Sequence, residues 1–287
     1  MRNTGFHMAI RAKIASTLNL RRLRSAARAC SIAALTALPA LALIAAPQRS
    51  NKPRPTPIAP APAIPAAPFR AGESLNYTIQ WTLVSDAVSA RLTVVGEQDF
   101  YGKPAWHVQA QAHTNNPLRY VFTVDDQFDS YASRMDLTGL QFEMYLHEQG
   151  KVENHILRLS STPSPAPRGA TQVQVLPNTR DALGFAYFLR TVDWEKTPEV
   201  RAPVFDGRKI YEVRARVTTP RAEVSVKAGK FNATAIALRV FDRGTELTDT
   251  KLTVWIAQDS AHTPVLIEVV LPFGTGRVEL LRAGAAG

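Results

Sequence analysis

The chain has one cysteine in 287 residues, Cys30, and none beyond it. Residues 31 onward therefore offer no thiol for a disulfide, a nucleophile or a metal ligand. Acidic residues are missing from the first 68 positions, which carry ten Lys or Arg: Arg2, Arg11, Lys13, Arg21, Arg22, Arg24, Arg28, Arg49, Lys52 and Arg54. The rest of the chain sets 24 basic residues against 24 acidic ones, so it is formally neutral although the whole chain carries +10. A neutral domain lacks the charge excess with which proteins hold nucleic acid, and no nucleic-acid partner is expected. Long apolar runs are absent as well, with one exception near the N-terminus.

That exception, Ala29 to Ala46, is uncharged, rich in Ala and Leu, and broken by Pro39. A basic segment followed by an apolar run and small residues has the order of a secretory signal. Ala40-Leu41-Ala42 offers a cleavage site, and cutting after Ala45 or Ala46 is also open. The alternative is an uncleaved signal anchor, at the short end of the roughly 17–25 residues that span a bilayer. Arg21-Arg22 makes a poor twin-arginine signal because Arg24 follows where an apolar residue is usual. Cys30 stands at the very start of the apolar run, whereas a lipidated cysteine should follow it. Eight prolines then fall between Pro47 and Pro68, a composition that favours extended polyproline II and reaches on the order of 70 Å. Residues 1–46 are thus expected to be a signal peptide or signal anchor and 47–68 a disordered linker. Residues 69–284 should form one domain, with 285–287 as a tail. Export places it in the periplasm or cell envelope, with membrane contact only through residues 29–46 if the leader is kept.

Beyond Phe69 the apolar residues alternate with polar ones, the signature of half-buried strands. Leu75, Tyr77, Ile79, Trp81 and Leu83 share one phase, as do Trp106, Val108, Ala110 and Ala112. Further runs centre on Tyr120-Phe122-Val124, Leu140–Leu146, 152–159, 171–176, 209–218, 222–227, 230–241, 249–257, 263–271 and 276–282. One segment departs from this rhythm. From Thr179 to Arg190 the apolar spacing becomes three and four, with Thr179 as N-cap and Asp181 in the first turn. The fold expected is mainly β: a large curved antiparallel sheet or incomplete barrel of about 11–12 strands, with a short helix near 179–190.

The chemistry is sparse. His147-Glu148 and His155 have the spacing H-E-x6-H, which does not place two histidines on one helical face. A solvated hairpin at Gly150-Lys151 accounts for them. His107 and His113 lack a third ligand for zinc. Asp125, Asp126 and Asp129 are too few for calcium and read as a turn or exposed face. Asp259 reads as a hairpin residue bonding to the backbone before Pro264. No G-x-S-x-G elbow or phosphate loop is present, since Phe273-Gly-Thr-Gly276 lies between strands. Neither a cofactor nor a metal is expected, and no catalytic residue is named. Tyr77, Trp81, Trp106, Tyr120, Phe122 and Phe142 fall on the apolar phases of their strands. They pack the core or line a concavity for an apolar ligand.

The order of landmarks resembles the DUF3108 family of exported bacterial proteins. It rests on Phe69-Arg-Ala-Gly-Glu-Ser-Leu-Asn-Tyr77, Tyr187-Phe-Leu-Arg190, Lys209-Ile-Tyr-Glu-Val213, Gly229-Lys-Phe231, Val254-Trp-Ile-Ala-Gln-Asp259, Pro264-Val265 and Pro272-Phe-Gly274. Where members often show a glycine, this chain has Asp86-Ala-Val-Ser89. The family's function is unknown, so the resemblance implies fold and compartment only. The curved sheet with a helix is also similar to the lipoprotein carriers of the periplasm, a likeness of fold that does not transfer function. The expectation is a non-enzymatic envelope protein that binds a lipid, lipoprotein or other apolar or amphipathic ligand in its curved sheet, or an envelope protein. The alternatives are a structural or interaction module tethered near the inner membrane and, more remotely, an enzyme on envelope glycans or lipids.

Overall fold

A computed structural model describes residues 67–81, 84–163, 165, 168–272 and 274–285. The leader and most of the proline-rich segment lie outside the described residues. The strands are β1 (Glu73–Trp81), β2 (Val84–Asp99), β3 (Pro104–Thr114), β4 (Asp125–Ser133), β5 (Gly139–Glu148), β6 (Lys151–Ser160), β7 (Thr171–Gln174) and β8 (Arg180–Asp181). The helix α1 (Ala182–Thr191) follows, then β9 (Glu199–Phe205), β10 (Ile210–Val226), β11 (Gly229–Asp242), β12 (Thr245–Glu246), β13 (Lys251–Ala257), β14 (Pro264–Leu271) and β15 (Gly274–Ala285). They form one 15-stranded sheet in the order β7-β6-β5-β4-β3-β2-β1-β15-β14-β13-β11-β10-β9-β8, with β12 beside β11.

The sheet is mainly β and curved, as expected, yet it is larger and not wholly antiparallel. Its two end pairs, β6–β7 and β8–β9, are parallel. Parallel neighbours need a crossover, and α1 supplies the one between β8 and β9. Gln149-Gly150 and Arg243-Gly244 both hold paired positive φ angles, the geometry that matches a two-residue hairpin to the strand twist. Register shifts in β1, β2, β4 and β10 mark bulges, which bend strands and increase twist. The two ends of the sheet approach without pairing: β7 and β8 are separated by residues 175–179 only. There Gly139 N in β5 donates to Thr179 O at 2.9 Å. A Cβ on Gly139 would meet Leu159 Cδ1 at 2.8 Å and Asp181 N at 3.2 Å, so a larger residue here would have to displace its neighbours.

The concave side is filled. Leu183, Phe185, Tyr187, Phe188 and Leu189 of α1 belong to one buried cluster with Trp106, Val108, Phe128, Phe142 and Leu157, and with Val204, Val213, Ile236 and Val254 across the sheet. A second cluster continues it toward the other end with Leu75, Tyr77, Ile79, Val88, Val265 and Leu280. Each buried apolar side chain contributes about 1.5–3 kcal/mol relative to exposure, so this interior dominates stability.

Four expectations need correction. The helix starts at Ala182, capped by Asp181, which accepts from Gly184 N at 2.8 Å. Thr179 instead donates to Leu176 O at 2.7 Å. Residues 118–120 form a short 3-10 helix rather than a strand, because the β3–β4 connection turns there after Pro117. The segments 209–218 and 222–227 are one strand, interrupted by Pro220, which has no N–H for the ladder. Asp126 and Asp129 lie in β4 and are buried, not on a turn or an exposed face.

Candidate functional site

The aromatics singled out in the sequence do not converge. Trp106 and Phe142 are buried in the main cluster, where Phe142 stacks on Phe128 with centroids 6.2 Å apart. Tyr77 is buried in the second cluster and donates to Pro264 O at 2.8 Å. Burial pushes its hydroxyl pKa well up, so it stays protonated and keeps that bond. Trp81 is half-buried, its ring pressed on Gly276, where a Cβ would come within 3.0 Å. Tyr120 is 83% exposed at the β3–β4 tip, and Phe122 beyond it is half-buried.

What does converge is a set of polar residues around Arg190, whose side chain is 1% exposed. Its Nη1 and Nη2 donate to the Glu73 carboxylate at 2.5 and 2.9 Å. Nη2 and Nε also reach Ala261 O at 2.8 and 3.3 Å. His262 Nδ1 sits 2.6 Å from the Arg190 carbonyl oxygen, which can only accept, so that nitrogen carries the proton. Asp259 accepts from Thr263 N and Oγ1 at 2.9 and 2.8 Å, the backbone-bonding role anticipated for it. Phe69 makes edge contacts with Trp106 and Tyr187 at 5.2 and 5.0 Å. Three sequence-distant landmarks, Phe69–Tyr77, Tyr187–Arg190 and the loop after Val254–Asp259, thus meet at one point. A cleft of about 460 Å³ opens beside it, lined partly by Phe69, Arg70, Glu73, Ala261 and Thr263. Each guanidinium nitrogen already has an acceptor, so this junction ties α1, β1 and the β13–β14 loop together.

The outer face of β3–β6 holds a second polar cluster. Asp129 and Glu143 are cross-strand partners. Asp129 accepts from His107 at 2.7 Å, Gln109 at 2.9 Å and Gln127 at 2.7 Å. Burial alone would raise its pKa, but these donors outweigh it and hold the carboxyl below its usual range. Glu143 accepts from Gln141 at 2.5 Å and Tyr145 at 2.6 Å, and that bond raises the Tyr145 pKa. Both carboxylates have internal donors, and neither lines the cleft beside Arg190. His147, Glu148 and His155 lie on the β5–β6 hairpin. Among the described residues no group of three or more His, Cys, Asp or Glu could hold a metal ion. Arg158 lies over the Phe100 and Tyr101 rings at 4.7 and 4.9 Å, and its buried Nη1 lacks a partner.

A third region lies on the outer face across β15, β1, β2 and β3. Strand register puts Arg282, Asn76, Arg91 and Gln111 in one transverse row. With Ser89 and His113 they line a cleft of about 610 Å³ whose walls contain no Asp or Glu. Asn76 Oδ1 accepts from Arg91 Nε at 3.0 Å, which orients that guanidinium. The sequence reading missed this site because its residues fall on polar phases of four strands, and only register unites them.

Fold and site together define a curved β-sheet scaffold packed around its own helix, with its uncommitted polar groups on the outer surface. The profile of the DUF3108 family, proteins of unknown function, matches residues 76–281, and the chain belongs to that family. Among solved structures, the chain is similar to a β-barrel-like protein of the domain of unknown function DUF1849 from Brucella abortus. That likeness has a TM-score of 0.50 and 8% identity, covering 76% of this chain and 99% of the other. A protein described as exported, with a YmcC-like fold, from Bacteroides fragilis aligns with a TM-score of 0.34 and 12% identity, over 76% and 97% of the two chains. No curated protein matches the chain. These likenesses concern the fold.

Proposed function

We propose that this DUF3108 protein is an exported envelope component that acts without catalysis, engaging a ligand or partner on the outside of its curved sheet. The observation that carries this reading is the position of α1. An acyl-chain site within the sheet would need the concave side, and α1 packs there against strands from both flanks. The reading therefore favours a tethered interaction module over a carrier with an interior cavity. The basic leader, apolar run and proline-rich segment support export and a stand-off from the inner membrane. Asp129 and Glu143, which face each other across β4 and β5, already accept internal donors on their carboxylates.

Expression of the full chain, followed by envelope fractionation and native mass spectrometry, tests this. The expected result is periplasmic or inner-membrane recovery with no stoichiometric acyl chain resistant to detergent exchange. A cytoplasmic protein, or one holding a tightly enclosed fatty acid, would overturn it.

A further inference from the structure

The outer cleft between β15 and β3 has features that an interaction surface alone does not require. Arg91 and Arg282 are both exposed, and neither forms an ion pair among the described residues. Other exposed arginines, such as Arg208, Arg216 and Arg243, also lack one, but these two face a single cleft whose walls hold no Asp or Glu. In a formally neutral domain, two unpaired arginines in a cleft without acidic walls amount to a local excess of positive charge. Both arginines flank Asn76 in register, which sets their Cα atoms two strands apart, about 10 Å. That separation lets two guanidinium forks close on one tetrahedral anion from opposite sides. Asn76 holds Arg91 through Nε and leaves its terminal nitrogens without a protein acceptor among the described residues. Gln111 and His113 add polar groups along the wall, whereas the Ser89 hydroxyl is spent on Asn115 Oδ1 at 3.0 Å. The volume of about 610 Å³ exceeds a bare anion and leaves room for the group that bears it.

We propose that this cleft binds a phosphate ester through Arg91 and Arg282, with the remainder of the molecule lying along Gln111 and His113. Planar guanidinium forks favour phosphate oxygens through paired, charge-assisted hydrogen bonds. The proposal rests on the reading that the outer surface is the working one. The phosphate belongs to a lipid headgroup or to a soluble phosphate ester. The test uses the full chain purified from the envelope fraction and its Arg91→Gln/Arg282→Gln variant. Inorganic phosphate, titrated against chloride at equal ionic strength, should shift the NMR signals of Arg91 Nε–H and the His113 ring saturably. Read at the His113 ring, which every variant keeps, the double Gln variant should weaken the response at least tenfold, and Arg91→Lys/Arg282→Lys should fall between. Co-sedimentation with phosphatidylglycerol vesicles, against phosphatidylcholine, separates the sources. Loss of vesicle binding in the Gln variant points to the headgroup, whereas phosphate binding without vesicle binding points to a soluble ester. Shifts no larger than with chloride, or responses unchanged in the Gln variant, would overturn the proposal. Such a failure would leave the filled interior, and the proposed function, standing.

Discussion

Arg190 and Arg91 place the same side chain in opposite circumstances. Arg190 is buried, and its guanidinium is spent on Glu73 and Ala261 O. Arg91 is exposed and gives only its Nε to Asn76. A buried charge must be paired and hydrogen-bonded or it destabilises the fold, while an exposed one keeps its donors available. The difference separates a junction that holds the domain together from a surface equipped to bind. It also shows that proximity of family landmarks is not evidence of a binding site. The landmarks meet at Arg190 and satisfy one another there.

The comparison can be broken most sharply at the junction. Arg190→Leu leaves Glu73 partly buried without its cation and should cost about 3–5 kcal/mol in urea unfolding. Adding Glu73→Leu should recover much of that loss. A single-variant loss below about 1 kcal/mol would mean the pair is dispensable. Next comes Asp181 at the start of α1, whose burial raises its pKa to about 6 from 3.8 against the bonds from Gly184 N and Ser130 Oγ. The native state holds a proton that the unfolded chain has released between those values. Stability from this group is therefore greatest below pH 4 and falls, by roughly 3 kcal/mol, as pH rises to about 6. Asp181→Asn keeps the capping acceptor and should remove that component, seen by comparing both proteins at pH 4 and pH 7.

Smaller effects sharpen the contrast. Gly139→Ala should cost about 1–3 kcal/mol, since the added carbon would meet Leu159 Cδ1 at 2.8 Å. On the outer surface, Arg91→Gln with Arg282→Gln should change stability by no more than about 0.5 kcal/mol. Tyr120→Ser, at an 83% exposed position, should be equally mild. A large loss at either outer site would erase the distinction between junction and surface.

Much of the fold was legible because period-two alternation reports directly which face of a strand is buried. The Leu75–Trp81 and Trp106–Ala112 runs became β1 and β3, and Asp259 took the turn role its position suggested. Residues 118–122 misled for a physical reason: an apolar alternation can also sit in a turn, and Tyr120 is exposed there. β9 was overlooked because Pro203 interrupts its run, although a short neighbour such as β8 tolerates it. The aromatics were visible as apolar residues, but whether they line a hollow depends on what occupies the concave side. That information lies in where α1 packs, which local spacing does not encode. The Arg91–Arg282 row was hidden more deeply, since it exists only through the pairing of β15, β1 and β2.

The central claim is that α1 belongs to the core and is not a lid over an apolar pocket. Native-state hydrogen exchange of the α1 amides tests it most directly. With its face buried from Leu183 to Leu189, α1 should exchange only through global unfolding, tracking the most protected amides of β3 and β11 as denaturant is added. Exchange through a local opening several kcal/mol cheaper than global unfolding would contradict the account. It would mean that α1 can leave the concave side and expose an interior site.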